Sequence, residues 1–177
     1  DSTTLSGQAI GAAEKYITGK YGSEYHQVRQ YKTKNSSAQE AHEAIRPTEF
    51  TKLSAGNDQQ QEKLYQLIWQ RALASQMAPA KLERTEVSIS ASTQTEKFIA
   101  KGEILRFDGF MKVYGGTKDD TILPSVEVGQ KLDAQSMTAT ETFSRSAARY
   151  SEAMLVKKLE ELGIGRPSTY APTIFTI

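Results

Sequence analysis

The chain has 177 residues, 38% of them hydrophobic and 24% charged, which suits a water-soluble globular protein of one or two domains. Lys and Arg number 22 against 21 Asp and Glu, a formal charge of +1, so any site for a polyanion must be local rather than a property of the whole surface. Without cysteine there is no disulfide, zinc thiolate or thiol nucleophile, and two histidines, His26 and His42, are too few and too far apart for a metal cluster. No apolar run approaches the roughly 20 residues of a membrane span and no signal peptide opens the chain, so no membrane partner is expected.

Residues 1–78 read mainly as helix. "DSTTLSGQAIGAAEKYITGKYG" opens with Ser and Thr capping candidates, sets Ile10, Ala13 and Ile17 on one helical face, and offers Gly22 as a stop. Ser23 to Gln39 is polar and aperiodic, a loop leading into "AHEAIRPT" (41–48). On a helix, Glu43 and Arg46 would face each other at a spacing of three, with His42 on the same side. Histidine and arginine there suit a phosphate. Residue chemistry alone favours the ordinary alternative, a helix end stopped by Pro47 with a surface ion pair of little energetic weight. In "QQQEKLYQLIWQRALASQM", two rows at spacing four, Leu64, Ile68, Ala72 and Tyr65, Trp69, Leu73, Met77, predict a well-buried helix ended by Pro79; Trp69 and its neighbours read as core.

Residues 79–143 read as strand. Val87, Ile89 and Ala91 alternate with polar residues, as do Phe98, Ala100 and Ile104, and Asp108-Gly109, Gly115-Gly116 and Gly129 mark turns. This predicts an antiparallel sheet with one wet face, a scaffold without catalytic spacing.

Residues 144–177 return to helix. Ser151 caps a helix whose buried face is expected to be Leu155, Val156, Leu159 and Leu162, ended by Gly163; a second helix is expected from Ser168, with Pro172 in its first turn. Helix, short glycine turn, helix is the outline of a helix-turn-helix. In "GIGRPST", Gly163 and Gly165 permit close backbone approach, Ser168 and Thr169 lie at a helix N-terminus, and Arg166 adds charge, a reasonable phosphate cradle. An ordinary helix stop and new cap describes the same residues equally well. The wider glycine spacing and lysine of a P-loop are absent. Arg145, Arg149, Lys157 and Lys158 tilt the balance towards a nucleic-acid backbone, diluted by Glu152, Glu160 and Glu161.

Together, "AHEAIRPT" and "LEELGIGRPSTYAPTI" resemble the signature segments of bacterial type IA DNA topoisomerases, and the arginine in both resembles the topoisomerase I branch more than the topoisomerase III branch. "DSTTLS" resembles the segment just after that family's nucleophilic tyrosine, and "ILRFDGF" with the Lys and Tyr that follow resembles its strand segment between the signatures. The resemblance covers nearly the whole chain. It implies an α+β architecture forming part of a toroid: 1–78 in the tyrosine-bearing helical domain, 79–143 in a β-rich arch, and 144–177 in a helical domain that binds single-stranded DNA. It further implies a bacterial, cytoplasmic, nucleoid-associated isomerase that cuts one strand by tyrosine attack, holds the 5′ phosphate covalently, passes the other strand and reseals, so relaxing negatively supercoiled DNA. No ATP is implied. Magnesium is implied in an acidic domain outside this sequence, with no metal ligand inside it.

By the family pattern the nucleophile would lie four residues before Asp1, so the chain alone is expected not to cleave DNA. His42 matches the histidine beside the scissile phosphate, and Arg46 matches an arginine expected to position DNA. Arg149, Gly165, Arg166, Ser168, Thr169 and Tyr170 are the expected contacts along the single strand, and Asp1 and Thr3 would flank the nucleophile. The remaining partners implied are single-stranded DNA and the rest of the parent chain. Two other classes stay open: a stand-alone helix-turn-helix reader of duplex DNA, for which the second helix offers few base-reading side chains, and a purely structural interaction module.

Overall fold

A computed structural model describes residues 2–31, 42–92, 95–116 and 119–176. The chain divides into two compact units, one formed by Ser2–Thr33 and Glu40–Ser125, the other chiefly by Val126–Ile177. The expected helical segment and the strands of the expected arch therefore share one unit, while residues 126–143 fall with the other.

In the first unit, helix α1 (Gly7–Lys20) begins at Ser6, whose hydroxyl accepts the Ala9 N–H. It buries Ala9, Ala13 and Ile17, one face at spacing four, with Ile10 half-buried beside it. Helix α2 (Gln59–Ser75) is capped by Asp58, which accepts from Gln61 N–H. One predicted row is buried from Trp69 through Leu73 to Met77; the other reaches the core only at Ala72, with Ile68 half-buried and Leu64 57% exposed. The buried stripe is narrower than the sequence predicts, since Leu64 and Ile68 are absent from the buried cluster.

That core joins Ala13 and Ile17 of α1, Phe50, the α2 row and Val113, with Tyr16, Tyr21, Tyr25 and Tyr65 at its edge. The Trp69 indole N–H donates to the Phe50 carbonyl at 2.9 Å, and Tyr16 meets the Trp69 ring edge-on at 5.7 Å. Gln76, fully buried just after α2, is satisfied by the backbone of Arg29: its amide donates to the Arg29 carbonyl (2.9 Å) and accepts the Arg29 N–H (3.3 Å).

Strands β1 (Lys81–Ser90) and β2 (Lys97–Phe107) pair antiparallel, Val87 opposite Ala100 and Ile89 opposite Phe98, which keeps the predicted alternation on one face. The ribbon is two-stranded, and most of its residues, Phe98 and Ile99 among them, are exposed. Charged pairs tie the strands: Arg84 with Glu103, Arg106 with Glu83, both at 2.7 Å, and Lys101 with Glu86 at 3.6 Å. The hairpin turn falls between Ser90 and Lys97, not at a predicted glycine pair. Asp108-Gly109 instead opens a 3-10 helix, Gly109–Tyr114, closed by Gly115 in the left-handed region. At Gly109 φ is +49°, and a Cβ would stand 2.5 Å from the Ala78 carbonyl oxygen, so this position demands glycine twice over.

In the second unit, residues 130–150 carry no regular structure. Helix α3 (Glu152–Glu161) is capped by Ser151 as predicted, its hydroxyl accepting the Met154 N–H. Gly163 (φ +69°) ends it with paired bonds, Gly163 N–H to the Glu160 carbonyl and Ile164 N–H to the Leu159 carbonyl. Helix α4 runs Pro167–Thr176, one residue earlier than predicted, because Pro167 takes the first helical position where a missing N–H is harmless; Pro172 then lies inside the helix rather than in its first turn. None of the described residues of this unit is buried, so the expected buried face of α3 is not met within it: Leu155, Val156 and Leu159 are half-buried and Leu162 is exposed.

Candidate nucleic-acid interface

Around His42 the backbone is not helical, contrary to the spacing argument. Pro47, buried, disfavours helical backbone at Arg46, and the Ala44 N–H donates out of the segment to the Thr4 carbonyl at 2.8 Å. Glu43 and Arg46 still meet, through a turn. The carboxylate takes the guanidinium side-on, Arg46 Nε to Oε1 at 2.7 Å and Nη2 to Oε2 at 3.1 Å, while Nη1 donates to the Pro47 carbonyl at 3.0 Å. One N–H each on Nη1 and Nη2 is left over from these bonds and can serve a phosphate.

Glu43 Oε1 also accepts the backbone N–H of Ser6, the cap residue of α1, at 2.8 Å. The Arg46 guanidinium first, and then the Ser6 N–H, hold the Glu43 carboxyl down at about 2. Thr3 Oγ1 donates to the Tyr31 carbonyl. Thus residues 3–6 of "DSTTLS" are bonded to the histidine motif and to Tyr31, which precedes that motif in sequence. Asp1 lies outside the described residues.

The His42 side chain is exposed. The helical spacing that put it on the Arg46 side is absent. His26 plays a different part: it bridges Met77 through the backbone, and its ring lies 3.8 Å from Glu14, with Nε2 shielded and unbonded.

In the second unit, Gly165 (φ +76°) leads into α4, and a Cβ there would meet the Tyr170 ring at 3.1 Å and Thr169 Oγ1 at 3.2 Å. The Thr169 hydroxyl accepts the Arg166 N–H (2.8 Å) and donates to the Arg166 carbonyl (2.9 Å), so it caps α4 rather than pointing at a ligand. Arg166, Ser168 and Thr169 are exposed and Tyr170 is half-buried. Arg166 Nη1 folds back to the Gly165 carbonyl at 2.8 Å. Arg149 is exposed in the stretch before α3. The two groups of predicted contacts, His42 with Arg46 and Arg149 with 165–170, belong to different units.

Among the described residues there is no group of three or more His, Cys, Asp or Glu side chains placed to hold a metal ion. No helix among them is long and apolar enough to cross a membrane.

A sequence model of the DNA topoisomerase family matches residues 1–177. The chain belongs to the bacterial type IA DNA topoisomerases. It is 47% identical to DNA topoisomerase 1 of Vibrio cholerae over 184 residues, covering 100% of this chain and 21% of that protein. To DNA topoisomerase 1 of Campylobacter jejuni it is 46% identical, covering 98% of this chain and 25% of that one. The solved full-length topoisomerase I of Thermotoga maritima superposes with a TM-score of 0.76 at 33% identity, over 99% of this chain and 29% of that one. The chain thus spans a quarter or less of the curated relatives named here. The expected α+β class and family are both met.

Glu43 is the site residue that the sequence reading undervalued. It was visible as a neighbour of Arg46, but its bond to Ser6 spans 37 positions and has no sequence period.

Proposed function

We propose that this chain is the portion of a bacterial topoisomerase I that carries the phosphate-stabilising histidine and part of the single-strand path. The parent protein relaxes negatively supercoiled DNA by cutting one strand, passing the other and resealing. Its attacking tyrosine comes from outside these 177 residues, and its magnesium, where used, is held by other residues of the parent.

In the cleavage step the tyrosine hydroxyl oxygen loses its proton and bonds to phosphorus, the bond to the 3′ oxygen breaks, and that oxygen takes up a proton and leaves as a 3′ hydroxyl, so no net proton is gained or lost. His42 would donate a ring N–H to a non-bridging oxygen on which charge builds. Arg46, already braced by Glu43, would offer its outer N–H groups to an adjacent phosphate. Arg149, Gly165, Arg166, Ser168, Thr169 and Tyr170 would follow the single strand, with phosphate contacts from the arginines and Ser168 and an aromatic contact from Tyr170.

The observation that carries this reading is the bonding of residues 4–6 to the His42 motif, because it ties the segment matching the stretch after the nucleophile to the residues expected at the phosphate. A duplex-reading helix-turn-helix is less well supported: α4, "PSTYAPTIFT", contains no Arg, Lys, Asn or Gln to read base edges. The test is relaxation of negatively supercoiled plasmid by a complete topoisomerase containing these residues, where His42→Ala lowers the rate by roughly 100-fold. Unchanged relaxation with His42→Ala would remove His42 from the reaction.

A further inference from the structure

We propose that Glu43 is a positioning residue for strand cleavage, clasping the segment that follows the nucleophile to the motif that carries His42 and Arg46. This rests on the functional reading above.

Three bonds converge on one carboxylate. Oε1 is shared by the Ser6 N–H (2.8 Å) and Arg46 Nε (2.7 Å), and Oε2 takes Arg46 Nη2 (3.1 Å). The adjoining Ala44 N–H donates to the Thr4 carbonyl at 2.8 Å, so the motif is pinned to residues 4–6 at two successive residues, once by side chain and once by main chain. Ser6 is also where α1 starts, with φ −67° and ψ 154°, and the first N–H groups of a helix favour a carboxylate.

The consequence is a fixed register. Residues 2–6 lead out towards the expected tyrosine, and His42 immediately precedes Glu43, so the clasp sets where the histidine stands relative to the attacking oxygen. It also holds the Arg46 fork in one orientation while leaving outer N–H groups for DNA. Glutamine keeps the shape, but its amide nitrogen would face the Arg46 N–H groups, donor against donor. Aspartate keeps the charge, but one methylene less prevents it from reaching Ser6 and the guanidinium together.

A positioning role separates rate from affinity. In a complete topoisomerase carrying these residues, single-turnover cleavage of a labelled single-stranded oligonucleotide is measured for the unaltered protein, Glu43→Gln, Glu43→Asp, Arg46→Lys and the Glu43→Gln/Arg46→Lys pair, each checked for folding by circular dichroism. Both Glu43 variants should cleave at least ~10-fold more slowly while oligonucleotide affinity changes less than about twofold, since small misplacements near a reacting centre cost rate. The pair should be little slower than the slower single variant, because both changes undo the same clasp. Either Glu43 variant, folded and cleaving at the unaltered rate, overturns the proposal. A loss of affinity equal to the loss of rate overturns it too. Failure of the unaltered protein to cleave would instead overturn the functional reading on which it rests.

Discussion

The Tyr25 hydroxyl donates a 2.8 Å hydrogen bond to Asp108 Oδ1, joining the turn after α1 to the end of β2 across 83 residues of sequence. The Tyr25 ring packs on Phe107 at 4.8 Å, Lys112 pairs with the other carboxylate oxygen at 3.2 Å, and the Ala78 N–H and Phe110 N–H close the same corner through the Tyr25 and Ala78 carbonyls. The ribbon is therefore anchored to the helical core by a polar joint as well as by apolar contact.

Tyr25→Phe should loosen that joint. Burial pushes the Asp108 carboxyl up, but the bonds from Tyr25 and Lys112 outweigh it and hold the group below its ordinary value. Its stabilising share is thus present above the ordinary carboxylate range and fades as pH falls through the lowered value. Loss of the Tyr25 bond is expected to cost about 1–2 kcal/mol at pH 7 in urea unfolding, and less in acid. Equal midpoints for the two proteins at pH 7 would contradict it.

Glu43 gives a second pH window. Its folded value of about 2 lies below the ordinary 4.5, so its contribution is complete above about 4.5 and is lost as pH falls towards 2. Because the carboxylate is one-third open to water, about 1 kcal/mol is expected rather than the full value of the shift. Glu43→Gln should lower stability at pH 7, and the gap to the unaltered chain should close on acidification. A gap that stays constant from pH 7 to pH 3 would show that the clasp is not charge-dependent.

The two units should differ in local stability. Residues 2–125 contain the buried cluster around Ile17, Leu73 and Met77, whereas none of the described residues of 126–176 is buried. Helices of ten residues are marginal without packing. Amide hydrogens of α3 and α4 should exchange at least ~100-fold faster than those of the α2 core face. Comparable protection in both would mean that α3 and α4 gain stability from contacts beyond their own helix faces.

How far the sequence could be read depended on whether a signal was local. Ser6 and Ser151 cap their helices through bonds to residues three positions on, a short-range chemistry, and Gly163 marks its stop for the same reason. The alternation along the ribbon strands followed from period two. The hairpin turn did not, because residues 91–96, "ASTQTE", contain no glycine or proline, while Asp108-Gly109 imitated a turn and built a 3-10 helix. Leu64 misled through its row, since periodicity shows that a face is apolar and not how far its cover extends. Pro47 was a local sign against helix at Arg46, but the Ala44 bond to Thr4 and the Glu43 bond to Ser6 rest on partners distant in sequence, and no local pattern carries those.

The most direct test of the central reading is a titration of this chain with a short labelled single-stranded oligonucleotide and with its duplex, at two salt concentrations, beside Arg166→Ala. Salt-sensitive preference for the single strand, weakened several-fold by Arg166→Ala, is the predicted result, since each lost phosphate contact lowers both affinity and its salt slope by about one unit. Equal binding of duplex and single strand, or a variant indistinguishable from the unaltered chain, would contradict it.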